Sequence, residues 1–190
     1  KTNKLLEYLD VRNCSALASL GEGVSECTNL KALYAEGTKL SSVAFATNGK
    51  LETIHLPDSI NTLTMRNLNN LTDFSATLSN ITNLTIEGGK LDNKNIINNA
   101  LATLQELHWY NLKESFADTK MLNSIYKLSY SILTGTADIT GNVRLREISN
   151  YNTEWSDLIV TYSDNKVIKQ WKVTFYDSDG VTPLKDKNGK

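Results

Sequence analysis

Hydrophobic residues recur along this chain in one short pattern: an aliphatic anchor, two residues, an apolar residue, one residue, another apolar residue. The clearest copies lie in residues 51–86. They are Leu51, Ile54, Leu56; Ile60, Leu63, Met65; Leu71, Phe74, Ala76; and Ile81, Leu84, Ile86. The last two positions of each copy alternate with a polar residue, the period of a strand with one buried face. A strand this short cannot bury its apolar face alone. It needs the strands of neighbouring copies, which predicts a solenoid.

The pattern extends backwards. Leu6, Leu9, Val11; Leu30, Leu33, Ala35; and Leu40, Val43, Phe45 fit it, while Leu17 and Leu20 fit two positions and Glu22 occupies the third. Anchors at 6, 17, 30, 40, 51, 60, 71 and 81 are spaced by roughly 9 to 13 residues, about half of a 20–29-residue repeat. A coil of two such steps carries one strand on each side. Side one takes strands at 9–11, 33–35, 54–56 and 74–76. Side two takes those near 20 and at 43–45, 63–65 and 84–86. Glycines 21, 23, 37, 49, 88 and 89 fall between strands, where the chain turns.

After residue 90 the coils lengthen. Ile96, Ile97, Ala100, Leu101 and Leu104 have helical spacing and lead into a further copy, Leu104, Leu107, Trp109. The segment 118–128 reads as a helix with Asp118 as N-cap and Met121, Leu122, Ile125 and Leu128 on its buried side. ILTGTADITG reads as a strand, VRLREISNY as a short helix and DLIVTY as a closing strand. The fold class expected is a β-rich α/β solenoid, with short strands on two sides and helices mainly in the C-terminal coils.

LLEYLDVRNC and LKALYAEGT resemble leucine-rich repeats, with Cys14 and Thr38 where that family often has Asn, Cys or Thr. The alternation in LETIHLPDSINTLTM is similar to the two-sided BspA-like branch, although the helical turn of regular leucine-rich repeats is nearly absent before residue 90. The resemblance covers residues 3 to about 162 and implies a repeat domain over 1–162. From about residue 167 the composition shifts. KQWKVTFYDSDGVTPL, with its DSDG turn, is similar to the opening strands of β-grasp-like repeats in Listeria and Bacteroides surface proteins. That implies a linker and the start of a second β module over 163–190. Lys1 opens in mid-pattern and Lys190 ends inside an unfinished segment, as expected of an excerpt from a longer polypeptide. The order of these parts resembles virion proteins of tailed phages, in tail or fibre appendages. The same parts occur on bacterial surface proteins of the BspA-like kind.

Composition narrows this little. The 190 residues are 40% hydrophobic and 22% charged, ordinary for a globular chain. A net charge of -1 gives no electrostatic ground for nucleic acid or an anionic membrane as partner. No apolar run reaches a membrane span of about 18 residues, so no membrane insertion is expected. Asn and Thr are frequent, as turns that bond side chains to backbone require.

Candidate chemistry is sparse. His55 and His108 are the two histidines, both at outward strand positions and without Cys or Asp at metal-ligand spacing, and both read as solvated surface residues. Cys14 and Cys27 are expected to be reduced and mostly buried. Asp177, Asp179 and Gly180 begin like a calcium loop, but Asn188 stands where a bidentate Glu is needed, so a hairpin turn is the better reading. GEG at 21–23 lacks the Lys of a phosphate loop, and the Asn-X-Ser/Thr sequons follow from composition. Neither a catalytic triad nor a carboxylate pair in a cleft can be placed, so no enzyme and no cofactor is expected.

The outward positions differ between the two sides. Side one presents Tyr8, Asp10, Tyr34, Glu36 and His55, with His108 and Tyr110 further on in the same outward register. Side two presents Ser42, Ala44, Thr62, Thr64, Thr85 and Glu87. Aromatics beside acids and His make the richer recognition surface, while Thr and Ser suit a bland β-face. The expected function is a structural or adhesive module of a larger oligomeric virion assembly. Its partners would be other virion proteins or a host surface protein or glycan, met through the side-one residues. A bacterial cell-surface adhesin is the alternative.

Overall fold

The computed structural model describes residues 3–89, 103–110, 115–116, 125–130, 134–138, 147–150, 158–163 and 167–168. Their architecture is a parallel β-solenoid of about five turns. One sheet has four strands in the order β1 (Tyr8–Asp10), β2 (Ala32–Tyr34), β4 (Thr53–His55), β6 (Asp73–Ser75). A second has six. From one edge to the other they are β12 (Glu147–Asn150), β10 (Lys127–Tyr130), β8 (Glu106–Tyr110), β7 (Asn83–Glu87), β5 (Thr62–Arg66) and β3 (Ser42–Phe45). A third joins β14 (Val167–Ile168), β13 (Leu158–Ser163), β11 (Thr134–Asp138) and β9 (Ser115–Phe116). Pairing is parallel throughout the described strands except where β14 returns antiparallel on β13.

The anchor aliphatics make the turns. The N–H of Leu30, Leu51, Ile60, Leu71 and Ile81 each donates to the carbonyl three residues earlier, on Cys27, Asn48, Pro57, Leu68 and Leu78. The side chain then points inward while the chain enters its strand. The residue after each anchor sets the stacking. Its carbonyl accepts two successive N–H groups from the next coil: Glu7 from Lys31 and Ala32, Lys31 from Glu52 and Thr53, Glu52 from Thr72 and Asp73. The six-stranded side repeats this, with Ser41, Asn61, Thr82 and Gln105 as acceptors.

Register then aligns the apolar positions. Leu9, Leu33, Ile54 and Phe74 form one inward row. On the other side Val43, Leu63, Leu84, Leu107 and Leu128 form a second, and Phe45, Met65, Ile86 and Trp109 a third. Leu33, Ile54, Leu63 and Leu84 belong to one core cluster between the two sheets, each fully buried.

Polar residues at the corners bond to the coil before them. Asn48 is fully buried and donates from Nδ2 to the carbonyls of Val24 (2.9 Å) and Cys27 (3.0 Å). Asn70 donates to Gly49 (2.7 Å), Asn80 to Asp58 (2.7 Å) and Ser59 to Leu40 (2.7 Å). Thr103 donates to Ile81 (2.7 Å), and the Thr47 hydroxyl donates to Ser25. This explains the Asn- and Thr-rich composition: the side chains supply donors to carbonyls that no strand partner reaches. Left-handed residues also stack at corners. Asn67 (φ 54°) donates its N–H to Glu87, directly before Gly88 (φ 58°). A Cβ on Gly88 would lie 2.8 Å from Asn67 Oδ1, so both space and dihedral require glycine.

The two-sided alternation holds, and four expectations change. Near residue 20 there is a 3₁₀ turn at Glu22–Val24 instead of a strand. Gly21 has φ 68°, which breaks the extended run, and Val24 and Cys27 fill the core there. The helix expected over VRLREISNY gives way to β12, whose Glu147 and Ile148 pair with Lys127 and Leu128. Those two residues, expected to end a helix, themselves lie in β10. Cys14 is exposed, while Cys27 is buried as expected. The helices expected from residue 93 and from Asp118 lie outside the described residues up to 102 and 124. So does the VTFYD strand with the module it opens.

Truncating Leu84 to Ala removes a buried methyl cluster between two coils and is expected to lower unfolding free energy by about 2–5 kcal/mol. Asn48→Ala removes the side-chain donor from two buried carbonyls, each of which keeps one backbone N–H, and should cost about 1–3 kcal/mol. Urea melts of both variants beside the parent measure this. A Leu84→Ala melt that overlays the parent would contradict the buried, inward position of Leu84.

Candidate binding surface

The outward face of the four-stranded sheet is built by register. Asp10, Tyr34, His55 and Ser75 lie opposite one another in successive strands, and Tyr8, Ala32, Thr53 and Asp73 form the parallel row. Backbone pairing continues past the strand ends: Val11 donates to Tyr34, Asn13 to Glu36 and Ala35 to His55. This carries Arg12 and Glu36 into line with the same face.

Tyr8, Asp10, Tyr34, Glu36 and His55 are therefore brought together, as expected. Tyr8 is the most open of them at 63% exposure. Their side chains engage one another more than the sequence reading assumed. Arg12 grips Asp10 through Nη2 (2.6 Å) and Nε (3.0 Å). The Arg12 side-chain hydrogen bonds, then its backbone N–H, pull the Asp10 carboxyl down to about 2. The Arg12 guanidinium also lies over the Tyr34 ring, 5.1 Å from its centroid, and the His55 ring meets Tyr34 edge-on at 5.2 Å. Lys31 pairs with Glu7 (2.8 Å) and sits 5.9 Å from the Tyr8 ring centroid.

His55 is the centre of the face and is half-buried rather than solvated. Its Nδ1 lies 2.9 Å from Glu36 Oε1 and its Nε2 lies 3.1 Å from Asp73 Oδ2. Burial works to lower its pKa, but the hydrogen bonds to Glu36 and Asp73 and the charges of both outweigh burial, and the net shift is upward. Arg12 and Asp73 are the residues missed from sequence. The signal for Asp73 was present, since it stands at an outward position beside the inward Phe74.

His108 and Tyr110 are placed elsewhere. Their strand β8 pairs with β7 in the six-stranded sheet, with His108 opposite Thr85 and Tyr110 opposite Glu87. There His108 Nδ1 and the Tyr110 hydroxyl are 3.0 Å apart, and Arg66 reaches Glu87 (2.7 Å) with its guanidinium 6.0 Å from the Tyr110 ring centroid. The Tyr126 hydroxyl donates to Glu106, which holds that carboxyl below its ordinary range. The second face is thus Thr-rich only in its first coils.

Among the described residues no group of three His, Cys, Asp or Glu side chains could hold a metal ion, and no helix is long and apolar enough to cross a membrane. Comparison with protein-family models, with curated proteins and with solved structures finds no match to this chain.

The two thiols provide a direct check of this surface geometry. In the native protein Cys14 is expected to react with a maleimide at the rate of an exposed thiol. Cys27 lies at 4% exposure with its Sγ 3.3 Å from the Gly23 carbonyl, and should react only after unfolding. Mass spectrometry showing two fast adducts without denaturant would contradict the buried position of Cys27.

Proposed function

We propose that this chain is a non-enzymatic structural and adhesive solenoid of a virion appendage. It meets other virion proteins, or a host surface protein or glycan, through the outward face of the four-stranded sheet. The observation that carries this reading is the concentration of Tyr8, Asp10, Arg12, Tyr34, Glu36, His55 and Asp73 on the outward face of one parallel sheet. Cross-coil pairs hold these side chains in fixed positions, so a partner meets a surface already ordered and little side-chain entropy is lost on contact. Tyr8 offers an open aromatic ring of the kind that anchors protein and sugar partners. The acids are taken up by Arg12 and His55, which favours recognition over acid–base chemistry. The virion placement is supported by the order of repeat coils, LTGTADITG and VTFYDSDG segments in the sequence.

Two variants separate the faces. Tyr8→Ser with Tyr34→Ser alters the four-stranded sheet, and Thr64→Ala with Thr85→Ala alters the six-stranded one. Circular dichroism should show both folded, since none of these side chains is in the core. Binding to host cells and to purified virion components should fall about tenfold or more for the tyrosine variant, the loss of about 1.4 kcal/mol or more typical of an anchoring aromatic. The threonine variant should bind like the parent. Undiminished binding by the tyrosine variant would overturn the assignment of the face.

A further inference from the structure

We propose that His55 is a proton-operated latch. As an imidazolium it donates one N–H to Glu36 and one to Asp73, tying three successive coils across the outer face of the four-stranded sheet. On losing its proton it gives up one of those two links. The geometry carries the inference. Each ring nitrogen lies within hydrogen-bond distance of a different carboxylate, at 2.9 and 3.1 Å. Carboxylates only accept, so both contacts are hydrogen bonds only when both nitrogens carry hydrogen. A neutral ring has one N–H, and its other nitrogen then turns a lone pair toward an anion.

The register explains the reach. His55 lies directly opposite Tyr34 on one side and Ser75 on the other. Glu36 is two residues beyond the first and Asp73 two residues before the second. The imidazole therefore spans both diagonals, a distance long side chains cover on a sheet face. Around it, Glu36 and the Tyr34 ring face it from the β2 side and Asp73 from β6. Beyond Tyr34 stands the Asp10–Arg12 pair that extends from β1. The two nearest charged groups are thus both anionic, while Arg12 is held by Asp10.

The sign follows from the upward shift of His55. A group with a raised pKa in the folded state adds stability that is fully present below its unfolded pKa, near 6.5, and is lost as pH rises through the folded value. The latch is therefore closed on the acid side and opens toward alkaline pH, where the face also loses one positive charge. This property belongs to the fold and holds whichever partner the face meets.

The experiment is a pH titration of the His55 imidazole by two-dimensional nitrogen–proton NMR on the intact chain. It is repeated on a Glu36→Gln, Asp73→Asn variant, and thermal melts of the parent and of His55→Gln are recorded at about pH 6 and pH 9. The parent is expected to titrate above 6.5, with both nitrogens protonated below the midpoint, and the midpoint should drop when the carboxylates are neutralised. The melting-temperature gap between parent and His55→Gln should be present at pH 6 and shrink at pH 9. A parent midpoint at or below 6.5 overturns the proposal, even if the double variant fails to fold. A midpoint indifferent to both carboxylates, or a gap equal at the two pH values, does the same.

Discussion

Everything in this molecule depends on one backbone arrangement: each coil must lay its strand parallel to the last and exchange hydrogen bonds with it. Strands of three to five residues gain nothing in isolation. The cost of an unpaired buried N–H or C=O makes the stacking register strict. The device that keeps it is small. An aliphatic residue closes a tight turn, and the carbonyl next to it takes two N–H groups from the following coil. Coil length can then vary, because the excess is accommodated elsewhere. The stretch between β1 and β2 takes up the 3₁₀ turn at Glu22–Val24 and the left-handed Gly21 without disturbing the match of Leu9 to Leu33.

This device also explains where sequence reading succeeded and where it failed. The pattern of anchor, strand and inward pair located β2 through β7 to within a residue, since burial on one face forces the period of two. It failed at the later coils for a physical reason. Anchor and first inward residue are three apart, which is also a helical spacing. Ile125, Leu128 and Tyr130 repeat the spacing of Leu104, Leu107 and Trp109, yet the first set reads as a helix when Met121 and Leu122 precede it. The same three-residue spacing runs from Leu145 to Ile148 in β12. Only pairing decides, and both segments pair into the six-stranded sheet.

The candidate surface was legible as rows and not as contacts. Alternation told which residues face outward on β1, β2 and β4. It could not tell that Asp73 closes on His55 or that Arg12 covers Tyr34, because those contacts depend on register between coils. His108 and Tyr110 went to the other side because β8 lies one full coil after β7, as the register of Leu84 to Leu107 shows. Read as a full step rather than a half step, the same spacing would have placed them beside Thr85 and Glu87.

The corner side chains have an orientation in time as well as in space. Asn29, Thr47, Asn48, Ser59, Asn70, Asn80 and Thr103 all donate to carbonyls of residues earlier in the chain. A polypeptide leaves the ribosome amino end first, at a pace of some 5–20 residues per second. These corner side chains therefore find their acceptors already in place, while backbone donors such as the Asn67 N–H are met by the coil that follows. Synthesis and stacking run in the same direction, so the nascent chain can wind itself up one turn at a time, each finished turn serving as the mould for the next.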